Sequence, residues 1–201
     1  MSTEKIAELE QQIYTLTSEL QQLQKAQPGE EVSNYEFDTV EGKVTLLELF
    51  GQHDKLLLIH NMGQGCRYCT LWGDGINGFV PHLESVMSVA MVSKDAPALQ
   101  RTFANSRQWR MRMASHGGGK YMAEQVATDN GSNYPGAATY ERRGNRIVKL
   151  NSTSFGPGDQ YCSAWNFLGL AGIGLEEFTP QYNYWLRPKS MDDGGENLID
   201  A

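Results

Sequence analysis

Residues 55–83, KLLLIHNMGQGCRYCTLWGDGINGFVPHL, carry the strongest indication of the fold. Residues 55–62 form an apolar run that ends in polar residues, which predicts a buried strand of a mixed sheet. A C-x-x-C pair, Cys66 and Cys69, follows it. Apolar residues then recur at the spacing of one helix face: Trp72, Ile76, Phe79, Val80 and Leu83. The order strand, C-x-x-C, helix therefore places Cys66 at or just before a helix N-terminus.

Further strands and helices alternate along the rest of the chain. The sequence predicts a strand over 85–93, a helix over 96–106, an irregular segment, a hairpin over 134–151 and a helix around 160–172. Strands that alternate with helices call for helix layers on a sheet, and C-x-x-C beside such a unit is the thioredoxin-like redox signature. The expected fold class is α/β, a thioredoxin-like three-layer α/β/α sandwich with a central mixed sheet.

The N-terminal segment carries a heptad repeat. Its apolar residues are spaced alternately three and four apart: Ile6, Leu9, Ile13, Leu16, Leu20 and Leu23. This spacing predicts a helix over 3–26 that either packs on its own domain or pairs with a second copy. The second alternative is suggested because Ile at a and Leu at d favour a parallel coiled coil of two helices. Pro28-Gly29 then opens a polar linker. We expect a coiled-coil-like helix (1–27), one thioredoxin-like domain (28–188) and a polar, disordered tail (189–201).

Composition and charge argue against several classes of function. The 201 residues carry a formal charge of −7, which is unfavourable for binding the phosphates of nucleic acids. No apolar run reaches the length of a membrane-spanning helix, and the polar N-terminus is unlike a signal peptide. The three cysteines are an odd number, which fits a reducing cytoplasm better than a disulfide-stapled secreted fold.

The C-x-x-C pair admits three interpretations. In the first it is a redox site, because the free N–H groups and dipole of a helix N-terminus favour a thiolate. Cys66 is then the attacking thiol, Cys69 resolves the mixed disulfide, and Arg67 adds a positive charge. In the second it is half of a zinc site, for which Cys162 and the four histidines are the remaining ligands but form no second close pair. In the third it belongs to a scaffold whose cysteines turn over no substrate.

A longer motif around the cysteines is more specific than the pair itself. The pattern C-x-x-C-x-x-W-x-D-G-x-N-G-x-x-P-H-L is met by Cys66, Cys69, Trp72, Asp74, Gly75, Asn77, Gly78, Pro81, His82 and Leu83. From about Tyr35 to the aromatic segment Tyr182–Tyr184, the chain resembles a bacterial thioredoxin-like family, known as a domain of unknown function, of the thioredoxin and peroxiredoxin-type antioxidant superfamily. The resemblance implies a thioredoxin-like fold and leaves the substrate open.

Two departures from that superfamily bear on function. Gly65 stands where thioredoxins carry a Trp before the first cysteine, and this removes part of their docking surface. Peroxiredoxins set the peroxidatic cysteine in a P-x-x-x-T-x-x-C frame, whereas here Gly63, Gln64, Gly65 and Cys66 stand upstream of Cys69. The peroxiredoxin catalytic frame is therefore absent.

Two residues outside the pair are candidates to support it. Thioredoxins place a cis-proline opposite the C-x-x-C, and Pro135 occupies the matching place in sequence order. An X–Pro bond is the common route to a cis peptide, but a trans turn proline fits equally well. His60, at the end of the apolar strand, either tunes or protonates Cys66 or is simply hydrogen-bonded there.

The sequence thus predicts a cytoplasmic thiol–disulfide oxidoreductase that uses the Cys66/Cys69 dithiol. It would need no cofactor and no metal, only a protein or small-molecule disulfide and a thiol electron donor. The alternatives are a dimeric binding or redox-sensing module without turnover and, less favoured, a peroxide-reducing antioxidant protein. The residues expected to support the dithiol are Arg67, Tyr68, His60, Trp72 and Pro135.

Overall fold

The computed structural model describes residues 3–126 and 133–182. The predicted tail over 189–201 and the end of the aromatic segment at Tyr184 lie outside the described residues. Within the described ranges the elements are α1 (Thr3–Ala26), β1 (Glu30–Val32), β2 (Glu36–Thr39), β3 (Gly42–Thr45), α2 (Leu46–Leu49), β4 (Lys55–His60), α3 (Arg67–Leu83), β5 (Ser88–Ser93), α4 (Pro97–Ser106), β6 (Arg112–Ser115), a π-helix (Met122–Val126), β7 (Gly136–Arg143), β8 (Arg146–Ser154), α5 (Ser163–Leu170) and a 3₁₀ turn (Leu175–Glu177).

The described strands form one mixed sheet in the order β1-β8-β7-β4-β5-β6-β2-β3. β4, β5 and β6 run parallel at its centre. This is possible because α3 connects β4 to β5 and α4 connects β5 to β6, and each helix returns the chain to the end where the next strand begins. The remaining neighbours pair antiparallel. The β7–β8 hairpin turns at Gly144, whose φ of 65° lies in the left-handed region that glycine adopts without strain. The carboxyl ends of the three parallel strands therefore meet at one edge of the sheet.

Two apolar layers cover the two faces of the sheet. Successive residues of a strand point to opposite faces, so Leu58 of β4 lies in one layer and Ile59 in the other. The layer around Leu58 is closed by α2 and the π-helix. The layer around Ile59 is closed by α3, α4 and α5, which contribute Trp72, Val80, Ala104 and Trp165. Helices therefore flank the sheet on both sides, which gives the three layers that the sequence predicted.

Two short strands lie where the sequence predicted none. β1 falls in the segment interpreted as a polar linker and pairs with β8. β6 falls in the segment interpreted as irregular and lies between β5 and β2. Both interpretations were wrong, because strands of three and four residues are too short to show a period of their own, and their neighbours supply the hydrogen bonds.

Most of α1 lies apart from the sheet and its helices. None of its residues is buried, so the heptad stripe does not form part of the core of its own domain. Near its C-terminal end the helix contacts the domain, where the Asn151 side-chain amide donates to the carbonyl oxygen of Gln24 at 3.2 Å.

Candidate active site

Cys66 lies at the N-terminus of α3, at the edge of the sheet where β4, β5 and β6 end. It is the N-cap of the helix, and its sulfur accepts a hydrogen bond from the Cys69 backbone N–H at 3.1 Å. The helix begins at Arg67, earlier than the apolar periodicity from Trp72 indicates. The sequence prediction that Cys66 sits at or just before a helix N-terminus agrees with this geometry. Both thiols are free.

The two thiols differ in acidity. The pKa of Cys66 is lowered to about 7, chiefly by the hydrogen bond with the Cys69 thiol and then by the backbone N–H groups of Cys69 and Tyr68, while its partial burial opposes this shift. The charge of Arg67 lowers the pKa less than any of these. The pKa of Cys69 is raised, because its thiol donates to Cys66 and because it is buried. Near neutral pH, about half of Cys66 is therefore thiolate, whereas Cys69 stays a thiol.

Exposure follows the same order as acidity. Cys69 is 3% exposed and belongs to the interior, whereas Cys66 is only partly covered. Gly65 is exposed, and a Cβ placed on it would meet nothing within 4 Å. An incoming sulfur can therefore reach Cys66 past Gly65 but cannot reach Cys69 directly.

The loop that leads into α3 is held on two sides. The Asn61 side chain accepts from the Gly63 N–H at 2.7 Å, and Asp95, which follows β5, accepts from the Gln64 N–H at 2.7 Å. Gly63 has a φ of 118°, and a Cβ there would lie 2.8 Å from an Asp95 oxygen, so glycine is required. Cys66 then donates its N–H to the Gly63 carbonyl at 3.1 Å. Asp95 was not predicted from the sequence, although it comes just after the strand that neighbours β4, a place where site residues often occur.

Aromatic side chains flank the dithiol on the α5 side. The Tyr68 ring lies 6.4 Å from that of Trp165, and Trp72 stacks on Phe155 at 5.5 Å. The Trp72 indole N–H donates to Asp159 at 3.3 Å, which ties α3 to the loop before α5. Tyr68 stays partly exposed, so it offers a flat apolar surface next to Cys66, while Trp72 is buried and supports it.

His60 faces away from the dithiol helix. It is the residue after Ile59, whose side chain packs with α3, so His60 points to the other face of the sheet. There its Nε2 lies 2.6 Å from the Tyr121 hydroxyl, which in turn lies 3.1 Å from the Tyr140 hydroxyl. Burial lowers the pKa of His60 to about 3, so the ring is neutral at neutral pH. His60 is thus hydrogen-bonded where its strand ends; a role toward Cys66 stays a prediction.

Pro135 lies at the entrance to β7. The β4–β7 register pairs Gly136 with His60, which puts Pro135 beside the point where β4 gives way to the dithiol loop. The Tyr134–Pro135 peptide bond is trans, and the described residues contain no cis peptide bond. Of the two alternatives for Pro135, the trans form is therefore the one observed. Its carbonyl accepts from the Phe155 N–H at 2.9 Å, which joins β7 to the end of β8.

The rest of the W-x-D-G-x-N-G motif fastens α3 to the segment after α4. Asp74 accepts from the Trp109 indole N–H at 2.8 Å and forms an ion pair with Arg107. The Asn77 side chain accepts from the Arg110 N–H at 2.7 Å. Gly73 lies directly under Trp109, where a Cβ would come within 2.5 Å of the ring. The motif that identified the family in sequence is therefore structural: it holds the helix that carries the dithiol.

The third cysteine is buried, and the predicted absence of a metal site can be compared with the side chains of the described residues. Cys162 is 4% exposed at the N-cap of α5, and burial raises its pKa. Within residues 3–126 and 133–182, no cluster of three or more His, Cys, Asp or Glu side chains is arranged to hold a metal ion. In the same part of the chain, no helix combines the length and apolarity that crossing a membrane requires.

A known protein family matches most of the chain. The profile of a family described as "Bacterial protein of unknown function (DUF899)" matches residues 3–191. The chain belongs to this family. The bacterial family that the C-x-x-C-x-x-W motif indicated is thereby confirmed. No curated protein matches the chain by sequence.

Three solved structures illustrate the similarity in fold. Reduced Prx3 of Vibrio vulnificus, in complex with H₂O₂, is 18% identical with a TM-score of 0.54, over 75% of this chain and 96% of that one. AhpC of Enterococcus faecalis is 12% identical with a TM-score of 0.52, over 73% and 96%. The antioxidant protein of Plasmodium falciparum, a 1-Cys peroxiredoxin, is 14% identical with a TM-score of 0.52, over 72% and 98%. These similarities confirm the thioredoxin-like fold that the sequence predicted.

Proposed function

We propose that this DUF899 protein is a thiol–disulfide oxidoreductase that works through the Cys66/Cys69 dithiol in the reducing cytoplasm. One observation carries the proposal: Cys66 is partly exposed at the N-terminus of α3, where its sulfur accepts from the Cys69 N–H, whereas Cys69 is buried. This arrangement lowers the pKa of Cys66 to about 7 and raises the pKa of Cys69. A pair with two equivalent thiols would have no built-in order of attack. This pair has one, since only the thiolate is a nucleophile.

The reaction consists of two sulfur exchanges. The Cys66 thiolate attacks one sulfur of a substrate disulfide, forms a mixed disulfide and releases the other substrate sulfur as a thiolate. The Cys69 thiol then loses its proton and attacks the Cys66 sulfur, which releases the second substrate thiol and leaves a Cys66–Cys69 disulfide. A thiol electron donor returns the pair to the dithiol. The open face at Gly65 admits the substrate sulfur, and the Tyr68 ring offers its neighbours an apolar contact.

A glutathione redox series with a mass-tagged alkylating agent tests the proposal. Cys66 and Cys69 should interconvert as a pair at a potential between about −100 and −350 mV, a window that includes the known dithiol proteins. A midpoint near the thioredoxin value of about −270 mV would assign the reductase direction, and one near −120 mV the oxidase direction. If the two cysteines are never oxidised together, the proposal is wrong.

Turnover is tested with three cysteine variants in a disulfide-reduction assay. Cys66→Ser should abolish activity, and Cys69→Ser should accumulate the mixed disulfide on Cys66 because nothing resolves it. Cys162→Ser is the matched control and should keep the wild-type rate, because Cys162 is buried in the α5 layer with a raised pKa. Pairwise oxidation without any turnover would instead favour a redox-sensing module.

Peroxide reduction is the second candidate, and the site geometry limits how it could occur. Cys69, the cysteine compared above with the peroxiredoxin frame, is 3% exposed and has a raised pKa. A peroxide would therefore have to oxidise Cys66 to a sulfenic acid, which Cys69 condenses to a disulfide with loss of water. Peroxide consumption that survives Cys66→Ser would exclude this route.

A further inference from the structure

We propose that α1 is a dimerisation helix that pairs in parallel with α1 of a second copy of this chain. The surface concerned is the a/d stripe, formed by six aliphatic residues that are exposed to water in the single chain. Their exposed fractions are 51% for Ile6, 42% for Leu9, 63% for Ile13, 63% for Leu16, 39% for Leu20 and 63% for Leu23. A row of large aliphatic side chains in water marks an interaction surface.

The chain's own domain does not cover this stripe. α1 has 24 residues, so it is about 36 Å long at 1.5 Å per residue. The contacts with the domain lie between Thr17 and the C-terminal end of the helix: Gln24 accepts from Asn151, and Thr17, Leu20 and Gln24 line a cavity with Tyr161. Leu20 is accordingly the least exposed member of the stripe. The part of the helix before Thr17 extends into water, where a helix of this length is marginal without a packed face.

The stripe is large enough for a second copy. Its exposed fractions correspond to roughly 600 Å² of apolar surface per helix, so two helices would bury on the order of 1,200 Å², the lower limit for a stable protein interface. More apolar surface continues past the end of α1. Gln24 also borders a mainly apolar cavity of about 350 Å³ between α3 and the sheet, beside Phe79, which is 54% exposed.

The order of residues in the stripe specifies a parallel pair of helices. Ile6 and Ile13 stand at a positions, and leucines fill every d position. This combination favours a parallel coiled coil of two helices. With Ile6 at a, Lys5 is at g and Glu10 is at the following e. In a parallel pair these opposite charges meet across the interface, on both sides of the two-fold axis. An antiparallel pair would set Lys5 beside the far end of the other helix, near the uncharged Ala26.

The mass of the full chain in solution tests the proposal. Sedimentation equilibrium at micromolar concentration should give about twice the 22.4 kDa of one chain. Leu16→Glu should raise the dissociation constant by at least about 100-fold, because it places two like charges in an apolar layer. Gln11→Glu adds the same charge at the outward f position and should leave the dimer unchanged. A monomeric wild-type protein, or a dimer that survives Leu16→Glu, overturns the proposal.

A cysteine substitution tests the direction of pairing. In a parallel pair the two copies of position 6 are neighbours, so Ile6→Cys should form an interchain disulfide under mild oxidation, identified by peptide mass spectrometry. In an antiparallel pair position 6 would lie opposite position 23 and about 25 Å from its own copy, so no such link would form. A dimer without the link refutes the parallel arrangement, and far-UV circular dichroism confirms that each variant keeps its helix.

Discussion

Replacing the buried cysteine should change the acidity of the exposed one. In Cys69→Ala the thiol that donates to Cys66 is lost, and this bond is the largest cause of the lowered pKa. The backbone N–H groups of Cys69 and Tyr68 stay in place. The pKa of Cys66 should therefore rise from about 7 toward, but not fully to, the value of about 8.5 for a free cysteine.

The size of the effect follows from the two limits. With a pKa of about 7, about half of Cys66 is thiolate at pH 7, whereas at the free-cysteine value the thiolate fraction is about 3%. Only the thiolate reacts with iodoacetamide. The thiolate fraction of Cys66 at pH 7, and with it the alkylation rate, should thus fall by up to roughly 15-fold in Cys69→Ala, and the difference should disappear above about pH 10, where both proteins are fully ionised.

The assay measures alkylation of the Cys66 peptide by mass spectrometry between pH 5 and pH 10. In the wild-type protein the rate should rise with pH through a midpoint near 7. Cys69→Ser serves as the control, because its hydroxyl keeps a hydrogen-bond donor of similar size, and its midpoint should lie between those of the wild type and the Ala variant. If Cys69→Ala keeps a midpoint near 7, the thiol–thiolate bond is not what acidifies Cys66, and the proposed division of roles loses its support.

Two matched pairs of substitutions test how α3 is held, each read as the free energy of unfolding in urea. Gly73→Ala should cost about 1–3 kcal/mol, because its Cβ would come within 2.5 Å of the Trp109 ring. Gly75→Ala, where nothing lies within 4 Å, should stabilise the helix by up to about 1 kcal/mol, and equal effects of both changes would contradict the packing described. Asp74→Ala should cost about 1–3 kcal/mol because it leaves the Trp109 N–H without its acceptor. Asp54→Ala removes an ion pair whose Asp54 side chain is 79% exposed and should cost under about 1 kcal/mol; a cost as large as that of Asp74→Ala would refute the distinction.

The central fold was readable from sequence because its elements are long and periodic. The run over 55–62 and the spaced apolar residues from Trp72 predicted β4 and α3, and with them the N-cap position of Cys66. β1 and β6 were not predicted, because they are stabilised by neighbouring strands and have too few residues to show a period. Such strands are defined by the sheet around them and not by their own sequence.

The site was partly readable from sequence. The cysteines could be placed by their spacing and by the helix that follows, and their order of acidity follows from N-cap geometry. The side of the sheet to which His60 points could not be decided, because a one-residue change of strand register reverses the face. Asp95 was missed because its contact with Gln64 joins positions 31 apart in sequence, and no local pattern reports such a pairing.

The fastening of α3 also determines which part of the site is free to open. A mixed disulfide on Cys66 must give up the hydrogen bond between its sulfur and the Cys69 N–H, and this disturbs only the first turn of the helix. From Trp72 onward the helix is secured by Asp159, Trp109 and Arg110. We therefore expect a helix of uneven local stability, with a first turn that frays at small cost and a remainder that exchanges its amide hydrogens only on global unfolding. The proposed sulfur exchange would then require only the first turn to move, while the sheet stays in place.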